Sequence, residues 1–376
     1  MIRTALALVL VFLACCSAAV AAPGIEQPPP VRGTAWLVED ARTGEVIASS
    51  DQHERVPIAS LTKMMTVLIA LQSKKLSDVV TVDRRAAIVG ESTINLRPGE
   101  QMTVRDLIKG ALVQSANDAA AALALSISKD FPAFARLMNA KAEQLGLHDT
   151  HYVRPDGLDE PGEYSSATDV TKLARDLMRY RFVRDTVREE TANISGGRTL
   201  HTWDDLLSLF PQTIGVKTGH TDEAGWCQVA AARGRGVTVY ATILGSPSRG
   251  QRNVDLQSLL IWGLGQFRVV PAVRSGRTYA DVQLPYGKDA LALVAAKPLI
   301  SVARLGHPLT ETVVAPVAAS LPVKQGQVFG RVEIRDGKRL IGTRDLVASR
   351  TINKPGIGSR LGWYAGRTVH HLAGLF

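Results

Sequence analysis

Ser60 and Lys63 stand three residues apart in the run Val56-Pro-Ile-Ala-Ser-Leu-Thr-Lys-Met-Met-Thr66. On a helix, positions i and i+3 share a face one turn apart, so a hydroxyl and an amine at this spacing can meet. A serine hydroxyl is a weak nucleophile until a neighbouring base takes its proton. Lys63 can be that base only if it spends time neutral, and an unperturbed lysine has a pKa of about 10.4. Burial or a second cation lowers it. The same spacing recurs at Ser126-Ile-Ser-Lys129, which reads as a solvated helix face. Two companions downstream make the pattern specific: Ser115-Ala116-Asn117, then Lys217-Thr218-Gly219. Lys217 is the candidate second cation, and Gly219 would let a substrate backbone approach closely.

The order S-x-x-K, S-x-N, K-T-G is the signature set of serine β-lactamases and penicillin-binding proteins. The chain resembles the low-molecular-mass penicillin-binding proteins, specifically the D-alanyl-D-alanine carboxypeptidases of peptidase family S11, over nearly its whole mature length. That resemblance implies an acyl-enzyme on Ser60, with Lys63 as base and Ser115 relaying a proton to the leaving D-alanine. Asn117 would bind the acyl chain, and Lys217 and Thr218 the carboxyl end. The N–H groups of Ser60 and His220 would form an oxyanion hole, and the strand carrying Lys217, Thr218 and Gly219 would form one wall of the cleft. Arg198 and Arg249 match arginines of the family's cleft segments, and Arg198 would help hold the terminal carboxylate. Asp205 stands where the family's W-D-N segment has Asn. The partners implied are peptidoglycan stem peptides, with β-lactams as inhibitors. Alternative readings are a D,D-endopeptidase of the same family, a serine β-lactamase, and a non-catalytic muropeptide-binding module. Glu189-Glu-Thr-Ala-Asn193 imitates the water-placing motif of class A β-lactamases but comes late in the chain and reads as a coincidence.

The elements that must position these residues follow from local pattern. Leu61, Met64, Met65, Leu68, Ile69 and Leu71 recur at helical spacing after Pro57, so Ser60 should open a helix. Val104, Leu107, Ile108, Ala111 and Leu112 make a second stripe, and Ala119 to Ile127 a third. Ser115 and Asn117 then fall in a tight link between helices, where the rival reading is a plain N-cap. Ala35–Glu39 and Val46–Ser49 read as a hairpin turning at Thr43-Gly44. The segment beginning Gly157-Leu-Asp resembles a family motif and reads as structural, with Thr168-Asp169 opening a helix. The region 73–101 reads as loop, Lys217-Thr218-Gly219 as part of a strand, and Leu256–Phe267 as a helix. By resemblance the catalytic unit is an α+β transpeptidase-like fold, a five-stranded antiparallel sheet flanked by helices. After Phe267, short alternating runs separated by Gly and Pro, with a turn at Arg335-Asp-Gly-Lys338, read as a small all-β domain.

The expected organisation is a signal peptide at 1–21, a catalytic domain at 22–267, a β domain at 268–350 and an amphipathic tail at 351–376. Arg3, the apolar run Ala5–Ala14 and Ala19-Val-Ala21 carry the signal reading. After cleavage only Cys227 remains, so no internal disulfide is expected. The tail suits a helix lying in a membrane interface. Together these point to an exported protein, peripheral to the periplasmic face of a bacterial inner membrane. The net charge of +9 (44 Lys+Arg against 35 Asp+Glu) fits an anionic membrane or wall. Without a basic block, zinc-finger spacing or RNP-like motif, nucleic acid is not an expected partner. The eight histidines show no HExxH spacing, so neither metal nor cofactor is expected.

Overall fold

The structure, a computed structural model, describes residues 27–363. The expected signal at 1–21 and the part of the expected tail beyond Trp363 lie outside the described residues. The chain divides into two compact units between Gln266 and Phe267.

The first unit opens with β1 (Ala35–Asp40) and β2 (Glu45–Ser50), joined by a turn in which Gly44 takes a φ of +73°. Helix α1 (Lys63–Ser73) follows. The stretch expected to be loop holds three short elements, β3 (Val79–Thr81), α2 (Arg84–Ala87) and β4 (Gln101–Thr103). Then come α3 (Val104–Leu112), α4 (Asn117–Leu125), α5 (Phe131–Leu145), α6 (Ala167–Leu177) and α7 (Arg181–Thr186). A small hairpin, β5 (Thr191–Ile194) with β6 (Arg198–His201), leads through α8 (Leu206–Leu209) to three long strands. These are β7 (Thr213–Thr221), β8 (Gly225–Gly234) and β9 (Val237–Ser246), and α9 (Arg249–Gly265) closes the unit.

The central sheet has the order β2-β1-β9-β8-β7, antiparallel throughout, with β7 at one edge. Every residue of β1 is buried, because α6 and α9 both pack against it. That double cover explains why Ala35 to Val38 run apolar instead of alternating. Helix α4 is buried from Asn117 to Ala124, and its five alanines let α1, α2, α3 and α5 approach closely. The apolar faces of α1, α3 and α4 form one core with β1 and β8.

Two expectations change here. Helix α9 starts at Arg249, not Leu256, because the Ser248 hydroxyl accepts from Gln251 N at 3.1 Å and caps it. Ser126-x-x-Lys129 lies in the turn beyond α4, where the Ser126 hydroxyl donates to Leu123 O, so it is not a helix face.

The second unit is all-β among the strands it contains. A ribbon pairs β10 (Phe267–Val273) with β13 (Leu299–Arg304). A five-stranded antiparallel sheet has the order β11-β12-β16-β15-β14, from β11 (Thr278–Val282), β12 (Leu291–Ala295), β14 (Thr310–Val314), β15 (Val328–Asp336) and β16 (Arg339–Ala348). Val282, Leu293, Val332, Ile334 and Leu346 form its own core. Residues 357–363 are helical, and the Trp363 ring meets Tyr286 edge-on at 5.4 Å. No helix among the described residues is long and apolar enough to cross a membrane.

Candidate active site

Ser60 does not open an α-helix. Ala59 to Thr62 form a 3-10 turn, entered through Ala59 at a φ of +50°, and α1 begins only at Lys63. The tighter turn helps the chemistry, because a 3-10 helix has three residues per turn and eclipses i with i+3. The Lys63 Nζ lies 2.6 Å from Ser60 Oγ. It also donates to Asn117 Oδ1 at 2.6 Å and to the Asp156 carbonyl at 2.5 Å. Three acceptors meet the three protons of the ammonium form. In the neutral form two protons suffice for Asn117 and Asp156, and the lone pair then faces the serine hydroxyl. Lys63 is 0% exposed, and burial pulls its pKa down to about 8.

Ser115 sits in the link between α3 and α4, as the stripe pattern predicted, whereas Asn117 is already the first residue of α4. They are not caps: Ala116 holds the N-cap position, with no side-chain bond. Ser115 takes a left-handed φ of +60°, and its Oγ accepts from Lys217 Nζ at 2.8 Å. The link is cradled by the region read as loop. Asn117 N donates to Ser92 O at 2.7 Å and Asn117 Nδ2 to Gly90 O at 2.9 Å. The Ser92 hydroxyl donates to Gln114 O at 2.8 Å. The buried Asp118 carboxylate accepts from the amides of Ile94, Leu96 and Ala119. A short-range cap would fix only the helix; these long-range bonds fix where the two side chains point.

Strand β7 carries Lys217, Thr218 and Gly219 as the edge of the sheet. Lys217 is buried and also donates to Thr218 O at 2.7 Å. Its pKa is pushed well below the usual lysine range, first by burial and then by the Lys63 charge. The expectation that Lys217 depresses Lys63 therefore needs correcting: burial is the main cause for Lys63, and the repulsion between the amines weighs on Lys217. Gly219 lies against the nucleophile turn. A Cβ there would stand 2.9 Å from Ile58 O and 3.1 Å from Ser60 N. His220 is exposed at its ring, which stacks on Trp226 at 4.0 Å between centroids.

Arg198 is elsewhere engaged. Its guanidinium donates to both Glu100 oxygens, at 2.7 and 2.9 Å, and to Asn95 O at 3.1 Å. It clamps the 95–100 segment, so it is not an open carboxylate receptor. Arg249 makes a bidentate pair with Asp205 at 2.7 and 2.5 Å and lies 5.2 Å over the Trp203 ring. Asp205, in place of the expected Asn, thus supplies the second oxygen that a bidentate pair requires. The Trp203 indole N–H donates to Gln114 O at 3.1 Å, which ties this cluster to the residue before Ser115. Glu189 accepts both of its bonds from Lys109 at 2.9 Å, which gives the β-lactamase look-alike an ordinary ion-pair role.

Sequence reasoning missed the 153–163 segment. It supplies the Asp156 carbonyl to Lys63 and the Pro155 carbonyl to the Thr66 hydroxyl, at 2.6 Å. Gly157, at a φ of +76°, packs so tightly that a Cβ would fall 2.1 Å from Ala59 O. The signal was Gly157-Leu-Asp itself, set aside as structural. Cys227 is buried, its thiol pushed up to about 11, as an inert thiol should be. Among the described residues no group of three or more His, Cys, Asp or Glu could hold a metal ion.

A half-buried serine on a buried lysine, a second serine–lysine pair that is buried throughout and a glycine-edged strand can together perform acyl transfer at a carbonyl. Comparison with known proteins agrees. The family model for D-alanyl-D-alanine carboxypeptidase, peptidase S11, matches residues 22–248. The chain is 32% identical over 358 residues to the D-alanyl-D-alanine carboxypeptidase DacD of Salmonella typhimurium, covering 90% of this chain and 91% of that one. It is 31% identical over 330 residues to the D-alanyl-D-alanine carboxypeptidase DacF of Bacillus subtilis, covering 84% of each. Among solved structures, penicillin binding protein 6B from Escherichia coli superposes with a TM-score of 0.65 at 28% identity, covering 87% of this chain and 98% of that one. A serine-to-alanine mutant of the Streptomyces K15 DD-transpeptidase gives 0.60 at 30% identity, over 63% of this chain and 99% of that one.

Proposed function

The chain belongs to the D-alanyl-D-alanine carboxypeptidase family, peptidase S11, and we propose that Ser60, Lys63, Ser115 and Lys217 carry its reaction. It is a serine-type D-Ala-D-Ala carboxypeptidase acting on peptidoglycan stem peptides. Neutral Lys63 takes the Ser60 proton as Oγ attacks the carbonyl of the penultimate D-alanine. The oxyanion that forms is held by the N–H groups of Ser60 and His220. Ser115, held by the Lys217 amine, relays the proton that Lys63 took to the leaving nitrogen, so that Lys63 is neutral again, and the C–N bond to the terminal D-alanine breaks. Asn117 holds the acyl chain, and Thr218 the terminal carboxylate. Water then hydrolyses the ester and releases the shortened peptide. The observation that carries this reading is the buried Lys63 amine 2.6 Å from the Ser60 hydroxyl.

A β-lactam ring offers the same acyl group, so penicillin would acylate Ser60. Incubation with labelled penicillin, with S60A as control, and chromatography of a pentapeptide substrate test the assignment. Labelling of the wild type alone, with release of D-alanine, is the expected result; an S60A protein that still released D-alanine would end it. Export to the periplasmic face of a bacterial inner membrane is part of the same proposal. It rests on the residues of 1–21 and on the exposed Ile357 and Leu361, one turn apart in the 357–363 helix. Co-sedimentation with anionic vesicles, lost on truncation after residue 356, tests the membrane part.

A further inference from the structure

We infer that Glu163 is a positioning residue for this reaction: its carboxylate fastens the nucleophile turn to the segment holding Lys63, and its charge acts on that lysine. The inference rests on the reading of Lys63 as the base. One carboxylate oxygen accepts the Thr62 hydroxyl at 2.7 Å. The other accepts the amides of Val153 and Arg154, at 3.1 and 2.9 Å. Thr62 is the last residue of the nucleophile turn and the neighbour of Lys63. Val153 and Arg154 lead into Pro155 and Asp156, whose carbonyls hold the Thr66 hydroxyl and the Lys63 amine. One carboxylate therefore joins the two segments between which the lysine is strung.

The contact is also electrostatic. Glu163 is partly buried, and burial raises its pKa to about 7. Its charge favours protonated Lys63, as does that of Asp156. The groups facing Glu163 are Lys63 from α1, and Tyr152, Arg154 and Asp156 from the segment beside it. Of these, Arg154 is turned to the Asp156 carboxylate, at 3.0 and 3.1 Å. Three donors converge on the ionised carboxylate, an arrangement that protonation would disturb. Replacing Glu163 by glutamine removes the charge but keeps the length. Its carbonyl can take the two amides while its NH2 faces the Thr62 oxygen.

The test uses the full chain and two readouts. The second-order rate of acylation by a fluorescent penicillin is measured between pH 6 and 10, and the Lys63 titration is followed by the Cε resonance of 13C-lysine. In E163Q the Lys63 titration and the acid limb of the rate profile should move together to lower pH, by about half a unit or more. In E163D the charge remains but the reach is lost. The titration should then stay near the wild-type position while the plateau rate falls about tenfold. A Lys63 titration unmoved by E163Q, or an E163D plateau equal to wild type, overturns the inference. A wild-type acid limb that does not follow the Lys63 titration overturns the base assignment, and this inference with it.

Discussion

Gly219→Ala adds one methyl where the sheet edge meets the nucleophile turn. Gly219 has no left-handed φ, so the change is purely steric. The new Cβ would lie 2.9 Å from Ile58 O, 3.1 Å from Ser60 N and 3.2 Å from the Ala59 Cβ. Two of the three neighbours are backbone and cannot swing aside. Ordinary contact begins near 3.4 Å, so β7 and the turn must separate by roughly half an ångström. Overpacking of this kind costs about 1–3 kcal/mol. In a unit of this size that is a fall in Tm of roughly 2–4 °C per kcal/mol. The same displacement moves Ser60 N–H away from the strand that carries His220, the other proposed oxyanion donor. Losing one such donor costs about 100- to 1000-fold, and a partial misplacement should cost about 10- to 100-fold. Stopped-flow acylation by a chromogenic β-lactam reads the rate, and calorimetry reads the Tm. A G219A protein with wild-type acylation and an unmoved Tm would refute the close packing of strand against turn. A lowered Tm with an unchanged rate would refute the assignment of this wall to the oxyanion.

Other predictions follow from individual contacts. The acylation rate should rise with pH through about 8 and then level, because Lys63 loses its proton there. The sign for stability is the same: between about pH 8 and 10.5 the unfolded chain holds the Lys63 proton longer than the folded one, so this group makes stability rise with pH, as urea titrations can read. Arg198→Ala should lower stability by about 1–3 kcal/mol through the lost Glu100 and Asn95 bonds, while Ser60 acylation stays within about threefold by the penicillin assay, whereas a large loss of rate would restore it to the cleft. Asp118→Ala strands the amides of Ile94 and Leu96 and should cost about 3 kcal/mol by denaturant midpoint. Asn117→Ala removes one of the three acceptors of Lys63 and should slow acylation about 100-fold with a smaller loss of stability.

The chemistry-bearing side chains were legible because type and spacing announce them. Ser60 and Lys63 are three apart whether the turn is α or 3-10, so the meeting survives the wrong helix type. Ser115 and Asn117 could be placed at the break between two helices because the apolar stripes on either side stop there, although Asn117 is already the first residue of α4. What stayed hidden was the work of backbone atoms and of distant partners. The carbonyl of Asp156 holds Lys63 across 93 positions, and no side chain signals a carbonyl. Glu100 takes Arg198 across 98 positions, so an arginine that matched a cleft motif proved to be a clamp. The 90–96 segment looked like loop because its role is to offer the Gly90 and Ser92 carbonyls and the Ile94 and Leu96 amides one at a time, which leaves no periodicity. Of the glycine-centred segment at 157, the residues were noticed but the contact with Ala59 depends on folding.

The site solves one electrostatic problem twice. An amine that must give up its proton near neutrality cannot sit in direct contact with a carboxylate, which would hold the proton on. Both lysines are buried, and each acceptor within hydrogen-bond reach is neutral: Ser60, Asn117 and the Asp156 carbonyl for Lys63, Ser115 and the Thr218 carbonyl for Lys217. Acids do stand nearby, yet those that bear on Lys63 most have both oxygens committed elsewhere. The Asp156 carboxylate takes Arg154, that of Asp118 takes three amides, and that of Glu163 takes the Thr62 hydroxyl and two amides. The residue lending Lys63 its backbone oxygen thus turns its own charge toward an arginine. The consequence is that the proton affinity of Lys63 depends less on any one charge than on exclusion of water. A substitution that wets the site, such as Thr62→Gly beside the lysine, should raise the Lys63 pKa toward that of a solvated amine. It should slow acylation most at neutral pH and least above pH 10.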